Sequence, residues 1–223
     1  MIRPGLRPAW RVRGAAALPL LGLLALAGCG GSSSPKTTTE NGCTVVASPS
    51  FAARSERKPS ALLAPQLHYD VTLLTNCGSF TFRLDQAQSP HAAAAFVALV
   101  KAGYFNKTIF HRIVPGFVIQ GGDPTGSGGG GPGFTTVDTP PASAVYTRGV
   151  VAMAKTGAQA PGTAGSQFFV VTEPNAGLPP DYAILGKVTS GLDVVDRIGK
   201  LGNAAQQPTM VVEIEQAEVK VSG

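Results

Sequence analysis

A chain of 223 residues, 43% hydrophobic and 14% charged, has material for one ordinary globular domain and some additional chain, which excludes a large multidomain enzyme. The formal charge of +5 does not point to nucleic acid, because Arg3, Arg7, Arg11 and Arg13 supply four of those charges and the rest of the chain carries +1.

The basic start runs into the apolar stretch GAAALPLLGLLALAG, short for a membrane-spanning helix and interrupted by Pro19, and then into small residues before Cys29. This is the pattern of an export signal. The tetrapeptide LAGC at 26–29 resembles the lipobox of bacterial lipoproteins, which implies cleavage before Cys29 and lipid modification of that cysteine. The plainer reading is an ordinary cleaved signal with a chance cysteine. Two or more acyl chains hold a protein stably on a membrane, so the lipobox reading places the mature protein outside the cytoplasm, anchored to a bacterial membrane. Residues 1–28 are thus read as a lipoprotein-type signal peptide and 29–66 as a flexible, poorly structured tether, since GGSSSPKTTTENG has little to bury; within 44–65 the reading stays open between VVASPSF packing back on the domain and a solvated AARSERKPSALLAP. Residues 67–223 form the folded domain.

Cys43 and Cys77 remain as an even pair, and in an exported chain such a pair suits a disulfide. Two free thiols or a metal site are the competing readings, but no CxxC spacing or nearby histidine supports a metal. From Leu67 the pattern HYDVTLLTNCGSFTFRL alternates with period two around Asn76 and Gly78, predicting a β-hairpin with Tyr69, Val71, Leu73, Phe80, Phe82 and Leu84 buried. SPHAAAAFVALVKAG predicts a helix with Ser89 as N-cap, Pro90 at its first position and a stop at Gly103.

Short β-rich segments then follow between Gly and Pro turns: FHRIV, GFVIQ, GVVAMA, QFFVVT and YAILGKV, with GLDVVDRIGK as a second helix. In the closing MVVEIEQAEVKV the apolar phase changes between Ile214 and Ala217, which a bulge near Gln216 would repair. Many short strands, two helices and no βαβ rhythm predict a mostly β fold, an antiparallel barrel with helices over its open ends. A closed barrel has no sheet edge that demands a partner, so a monomer is expected.

The most informative stretch is FHRIVPGFVIQGGD, which sets Arg112 in an otherwise apolar run. If the Pro115-Gly116 kink preserves phase, Arg112, Val118 and Gln120 share one strand face and offer a guanidinium, an apolar group and an amide to one groove. Together with a glycine-rich loop, then MAKTGAQAPGTAGSQFFV and LPPDYAILGKV, this stretch resembles the cyclophilin family of peptidyl-prolyl cis-trans isomerases over about residues 67–221. The resemblance implies a closed eight-stranded antiparallel barrel capped by two helices. It also implies an activity without metal, ATP or other cofactor, the substrate being proline-containing segments of polypeptides.

Rotation about an Xaa-Pro bond meets a barrier of ~18–20 kcal/mol because twisting removes amide resonance. A fixed donor that favours the twisted amide lowers that barrier. By resemblance the donor is Arg112, a rigid and permanently charged fork. Phe117, Val118, Phe169 and Leu178 would form the proline pocket, with Gln120 and the backbone around Ala154 and Lys155 holding the peptide. Three positions depart from familiar members: Gly177 stands where many eukaryotic cyclophilins have tryptophan, Tyr182 where they have histidine and Lys155 where they have asparagine. The missing tryptophan implies weak binding of cyclosporin, while Tyr182 can still pack on the proline ring and donate a hydrogen bond.

Duller roles exist for each residue: a solvated strand position for Arg112, core packing for Val118 and Phe169, a structural hydrogen bond for His111. GGDPTGSGGGGPG lacks a Gly-Lys-Ser/Thr ending and reads as a mobile loop beside the site rather than a phosphate cradle. Ser166 lies in no Gly-x-Ser-x-Gly elbow, which argues against a hydrolase. The sequence is therefore read as a peptidyl-prolyl isomerase that accelerates folding of exported proteins. The alternative is a peptide-binding module or holdase with little turnover.

Overall fold

The computed structural model describes residues 38–223; the expected signal segment and Cys29 lie outside the described residues. In chain order the elements are β1 (Thr39–Glu40), β2 (Cys43–Thr44), β3 (His68–Thr75), β4 (Gly78–Leu84), α1 (Pro90–Lys101), β5 (Thr108–Ile109), β6 (Arg112–Val114) and β7 (Val118–Gly121). There follow β8 (Thr136–Val137), β9 (Val150–Met153), β10 (Thr163–Ala164), β11 (Phe168–Val171), β12 (Ile184–Ser190), α2 (Leu192–Gly199) and β13 (Glu213–Ser222).

Nine strands form one antiparallel sheet in the order β5-β13-β3-β4-β12-β9-β11-β7-β6. Its two edge strands, β5 and β6, are separated in the chain only by Phe110 and His111, and Ile109 bridges Asp123 just beyond β7. Counted as one bent strand, they join the two edges, and the sheet becomes the expected eight-stranded ring.

Local chemistry explains the principal elements. Alternation in β3 and β4 buries Tyr69, Val71, Leu73, Phe80, Phe82 and Leu84 inside the ring. Helix α1 closes one end by inserting Phe96, which stacks on Phe105 at 4.6 Å between ring centroids and meets Phe82 and Phe168 edge-on. It ends where Gly103 takes φ +69, a conformation that favours glycine. Ser89 is the N-cap residue, as expected, but its side chain makes no capping bond. Asp138 from a distant loop accepts the Ala92 N–H at 2.6 Å and the His91 N–H at 3.3 Å, placing a carboxylate at the positive end of the helix. In β13 the register shifts between Ile214 and Gln216, so the bulge falls on Glu215 and returns Ala217 to the buried face.

The part of the expected tether at 38–66 carries little regular structure beyond 39–44, but it is attached to the barrel at several points. Strands β1 and β2 form a small hairpin, Cys43 and Cys77 are disulfide-bonded, and the Thr44 N–H donates to the Asn76 carbonyl at 2.7 Å. Arg54 donates to the carbonyls of Tyr104 and Asn106. Several of its apolar side chains, Val45, Phe51 and Leu62, stay exposed; apart from the disulfide and Leu63 against the core, it docks largely through main-chain bonds and the long Arg54 side chain, which hydropathy does not register. Among the described residues no helix is long and apolar enough to cross a membrane.

Candidate active site

The site is built on the outer face of the hairpin β6–β7. Arg112 stands directly opposite Gln120, Ile113 opposite Ile119 and Val114 opposite Val118. Residues opposed in this way share a face, so Arg112, Val114, Val118 and Gln120 point outward while Ile113 and Ile119, both 0% exposed, fill the barrel. The Pro115-Gly116 turn thus preserves the phase. In β11 the same alternation sends Phe168 into the barrel core and Phe169 into a second apolar cluster outside it.

That outer cluster has Val118, Tyr146, Ala152 and Phe169 at its base, with Phe117, Ala154, Leu178 and Tyr182 partly buried against them. Tyr182 meets Phe169 edge-on at 5.4 Å between ring centroids. Its backbone is held by Tyr146, whose hydroxyl donates to the Tyr182 carbonyl at 2.7 Å and accepts its N–H at 3.0 Å. All nine residues expected at the site, Arg112, Phe117, Val118, Gln120, Ala154, Lys155, Phe169, Leu178 and Tyr182, come together here.

A chain of amides fixes the guanidinium. Arg112 Nε donates to Gln206 Oε1 at 2.8 Å and Nη1 to Gln120 Oε1 at 3.2 Å. Gln120 Nε2 then donates to Gln167 Oε1 at 3.1 Å, and Gln167 Nε2 to the carbonyls of Gly128 and Gly130 at 2.8 and 2.9 Å. Arg112 Nη2 has no partner among the described residues. The cation is therefore oriented by neutral groups, with part of its donor fork facing the groove.

Lys155 does not reach toward the groove as a free cation. Its side chain is 3% exposed, its Nζ pairs with Asp181 at 2.5 Å and donates to the Gln159 carbonyl at 3.1 Å, and it lies 5.6 Å from the centre of the Tyr182 ring. It ties its own loop, through Gln159, to Asp181 beside Tyr182. The Ala154 N–H is taken by the Gln167 carbonyl at 2.9 Å.

His111 was expected to make a structural hydrogen bond. Both ring nitrogens are buried, yet neither has a partner among the described residues. Burial, assisted by the Arg112 charge and opposed by Asp123, holds its pKa below the ordinary histidine value. Burial pushes the Asp123 carboxyl up, but bonds from Thr125, Gly130 and Gly128 outweigh this and keep its pKa below the usual carboxylate range. These bonds, 2.7 Å from the Gly128 N–H and 3.0 Å from the Gly130 N–H, organise the glycine-rich loop around one carboxylate. The loop borders the groove, as expected.

Three contributors were missed. Gln167 was legible in principle, since it is two residues before Phe169 and shares its phase. Tyr146 lies outside any regular strand, and Gln206 is 94 residues from Arg112, so neither had a local signal. Gln206 sits at φ +63, and its carbonyl accepts the Ile113 N–H at 3.0 Å. The loop approaches β6 closely because Gly202 has no side chain: a Cβ there would lie 2.3 Å from the Ile113 carbonyl oxygen.

A family model described as cyclophilin type peptidyl-prolyl cis-trans isomerase/CLD matches residues 70–219. The chain belongs to this family of isomerases. This cyclophilin is 40% identical to peptidyl-prolyl cis-trans isomerase-like 1 of Aspergillus oryzae over 159 residues, covering 69% of this chain and 97% of the fungal protein. It is 38% identical to peptidyl-prolyl cis-trans isomerase CYP18-2 of Arabidopsis thaliana over 136 residues, covering 59% of this chain and 81% of the plant protein. A crystal structure of a Cryptosporidium parvum cyclophilin type isomerase superposes with a TM-score of 0.64 at 34% identity, covering 70% of this cyclophilin and 99% of that chain. A structure of the parasite protein determined in the presence of the dipeptide Ala-Pro gives a TM-score of 0.63.

Proposed function

We propose that this cyclophilin isomerises Xaa-Pro bonds in exported polypeptides, with Arg112 stabilising the twisted amide. The observation that carries the reading is a charged fork, held by Gln120 and Gln206, at the rim of the apolar cluster around Phe169. The proline ring packs on Phe169 between Phe117, Val118, Leu178 and Tyr182, and Gln120 holds the chain beside it. One side of the Xaa-Pro bond is then fixed while the other rotates, and the preorganised Arg112 donor favours the state in which resonance is lost. No bond is cut and no cofactor is required by this chemistry.

The Cys43–Cys77 disulfide supports an extracytoplasmic setting, since such bonds persist in oxidising compartments. We extend this to lipidation at Cys29 and to clients whose folding waits on proline isomerisation, which takes tens to hundreds of seconds uncatalysed. The expected result in a bacterial host is a membrane-fraction protein whose mature N-terminal peptide, by mass spectrometry, carries acyl chains on Cys29. A soluble product that begins at an unmodified residue would refute the anchor.

Acceleration of cis-trans exchange in Xaa-Pro peptides, read by NMR, tests the activity of this chain. Binding without acceleration would instead make the groove a recognition module or holdase. A further expectation concerns cyclosporin. Gly177, at φ +60 with open space around it, presents no side chain where many relatives present tryptophan. The dissociation constant should be weaker than about 100 nM by calorimetry, and tighter binding would show that the tryptophan is dispensable.

A further inference from the structure

Residues 51–58 lie outside the stretch that matches the family, 70–219, yet they run along the glycine-rich loop that borders the groove. The Ala52 N–H donates to the Pro124 carbonyl at 3.2 Å, the Glu56 N–H to the Pro132 carbonyl at 2.9 Å, and Lys58 Nζ to the Thr135 carbonyl at 2.9 Å. Phe51, 42% exposed, lays its ring on Gly126, where a Cβ would come within 2.8 Å of it. Arg54 ties the same segment to the barrel through the carbonyls of Tyr104 and Asn106.

Six of the ten residues at 124–133 are glycine, the residue that loses most backbone entropy on ordering. Asp123 organises this loop from within, and residues 51–58 brace it from outside. What the loop holds is the end of the amide chain: Gly128 and Gly130 accept from Gln167, Gln167 accepts from Gln120, and Gln120 accepts from Arg112.

We propose that residues 51–58 are a positioning segment of the isomerase site, setting the glycine-rich loop and, through Gln167 and Gln120, the orientation of Arg112. The proposal rests on the reading of Arg112 given above. The segment meets the loop and its C-terminal flank through main chain and through Phe51, Ser55 and Lys58, and none of residues 51–58 lines the groove.

The test uses the full chain with Phe51→Ala and Arg54→Gln, singly and together, beside the conservative Phe51→Tyr. The side-chain amide resonances of Gln120 and Gln167 should move in the double variant, and kcat/KM should fall about 5-fold to 10-fold, the scale of a modest misplacement of a catalytic group. Part of that loss should appear in KM, which a mere drop in folded fraction would not change, and Phe51→Tyr should retain the parent values. Phe51 is half-exposed, so Phe51→Ala keeps the test available where the Arg54 variant folds poorly. Unmoved Gln120 and Gln167 resonances, or moved resonances with kcat/KM within twofold of the parent, overturn the proposal. Absence of catalysis in the parent would sink the isomerase reading alone; the same resonances, read with the peptide dissociation constant, still decide whether this segment positions the groove.

Discussion

Arg112→Ala should lower kcat/KM for Xaa-Pro isomerisation about 30-fold to 900-fold, corresponding to roughly 2–4 kcal/mol of transition-state stabilisation, the scale of losing one preorganised charged donor. The reason lies in how the side chain is held. Gln206 and Gln120 each offer an amide oxygen to one nitrogen of the guanidinium, so its orientation costs little to maintain when the amide twists. Arg112→Lys should recover little of the loss, because a single ammonium cannot keep both amide partners and also present a fork to the prolyl group. NMR exchange spectroscopy on a short Xaa-Pro peptide reads the rate, and titration of the same peptide reads binding. Loss of rate with retained binding assigns Arg112 to the transition state. An Arg112→Ala variant as fast as the parent would move the chemistry elsewhere in the groove.

Removal of the disulfide should have the largest effect on stability. Cys43 and Cys77 are 0% and 2% exposed and 34 residues apart in sequence. Closing a loop of this length restricts the unfolded chain by about 3–4 kcal/mol in the chain-entropy account. Cys77→Ala also cuts the covalent hold on the hairpin β1–β2, although Asn76 still donates to the carbonyls of Thr44 and Val211 at 2.7 and 2.9 Å. Equilibrium unfolding in guanidinium chloride should show a fall in stability of about 2–4 kcal/mol for Cys77→Ala, and a comparable fall for the parent under reductant. Coincident unfolding curves with and without reductant would mean that non-covalent contacts, those of Asn76 and Arg54 among them, carry the attachment.

The features legible in the sequence are those encoded over a few neighbouring residues. Alternation with period two marks the hairpin β3–β4 and puts Arg112, Val118 and Gln120 on one face once the turn preserves phase. The change of parity in β13 marks its bulge to within one residue. Helix α1 was visible for the same reason, through its alanine-rich run and its Pro90 and Gly103 ends. Which of the outward residues belong to a proline pocket came from family resemblance, because Phe169 and Val118 look like core in any local pattern.

Other features depend on partners that meet only when the barrel closes. Asp138 takes the capping role at α1 from 46 residues away, and Gln206 reaches Arg112 from 94 residues away. The tether supplies the clearest contrast: residues 51–58 have a linker's composition and yet lie along the loop beside the site. Side-chain periodicity and backbone stereochemistry are written locally, so the sequence alone determined the main strands, both helices and the shared face of Arg112, Val118 and Gln120, while the short strands β1, β2, β8 and β10 appear only in the fold. Only the tertiary structure decided what orients Arg112, since a hydrogen bond across the fold depends on the relative position of two distant backbones, which neither segment specifies by itself.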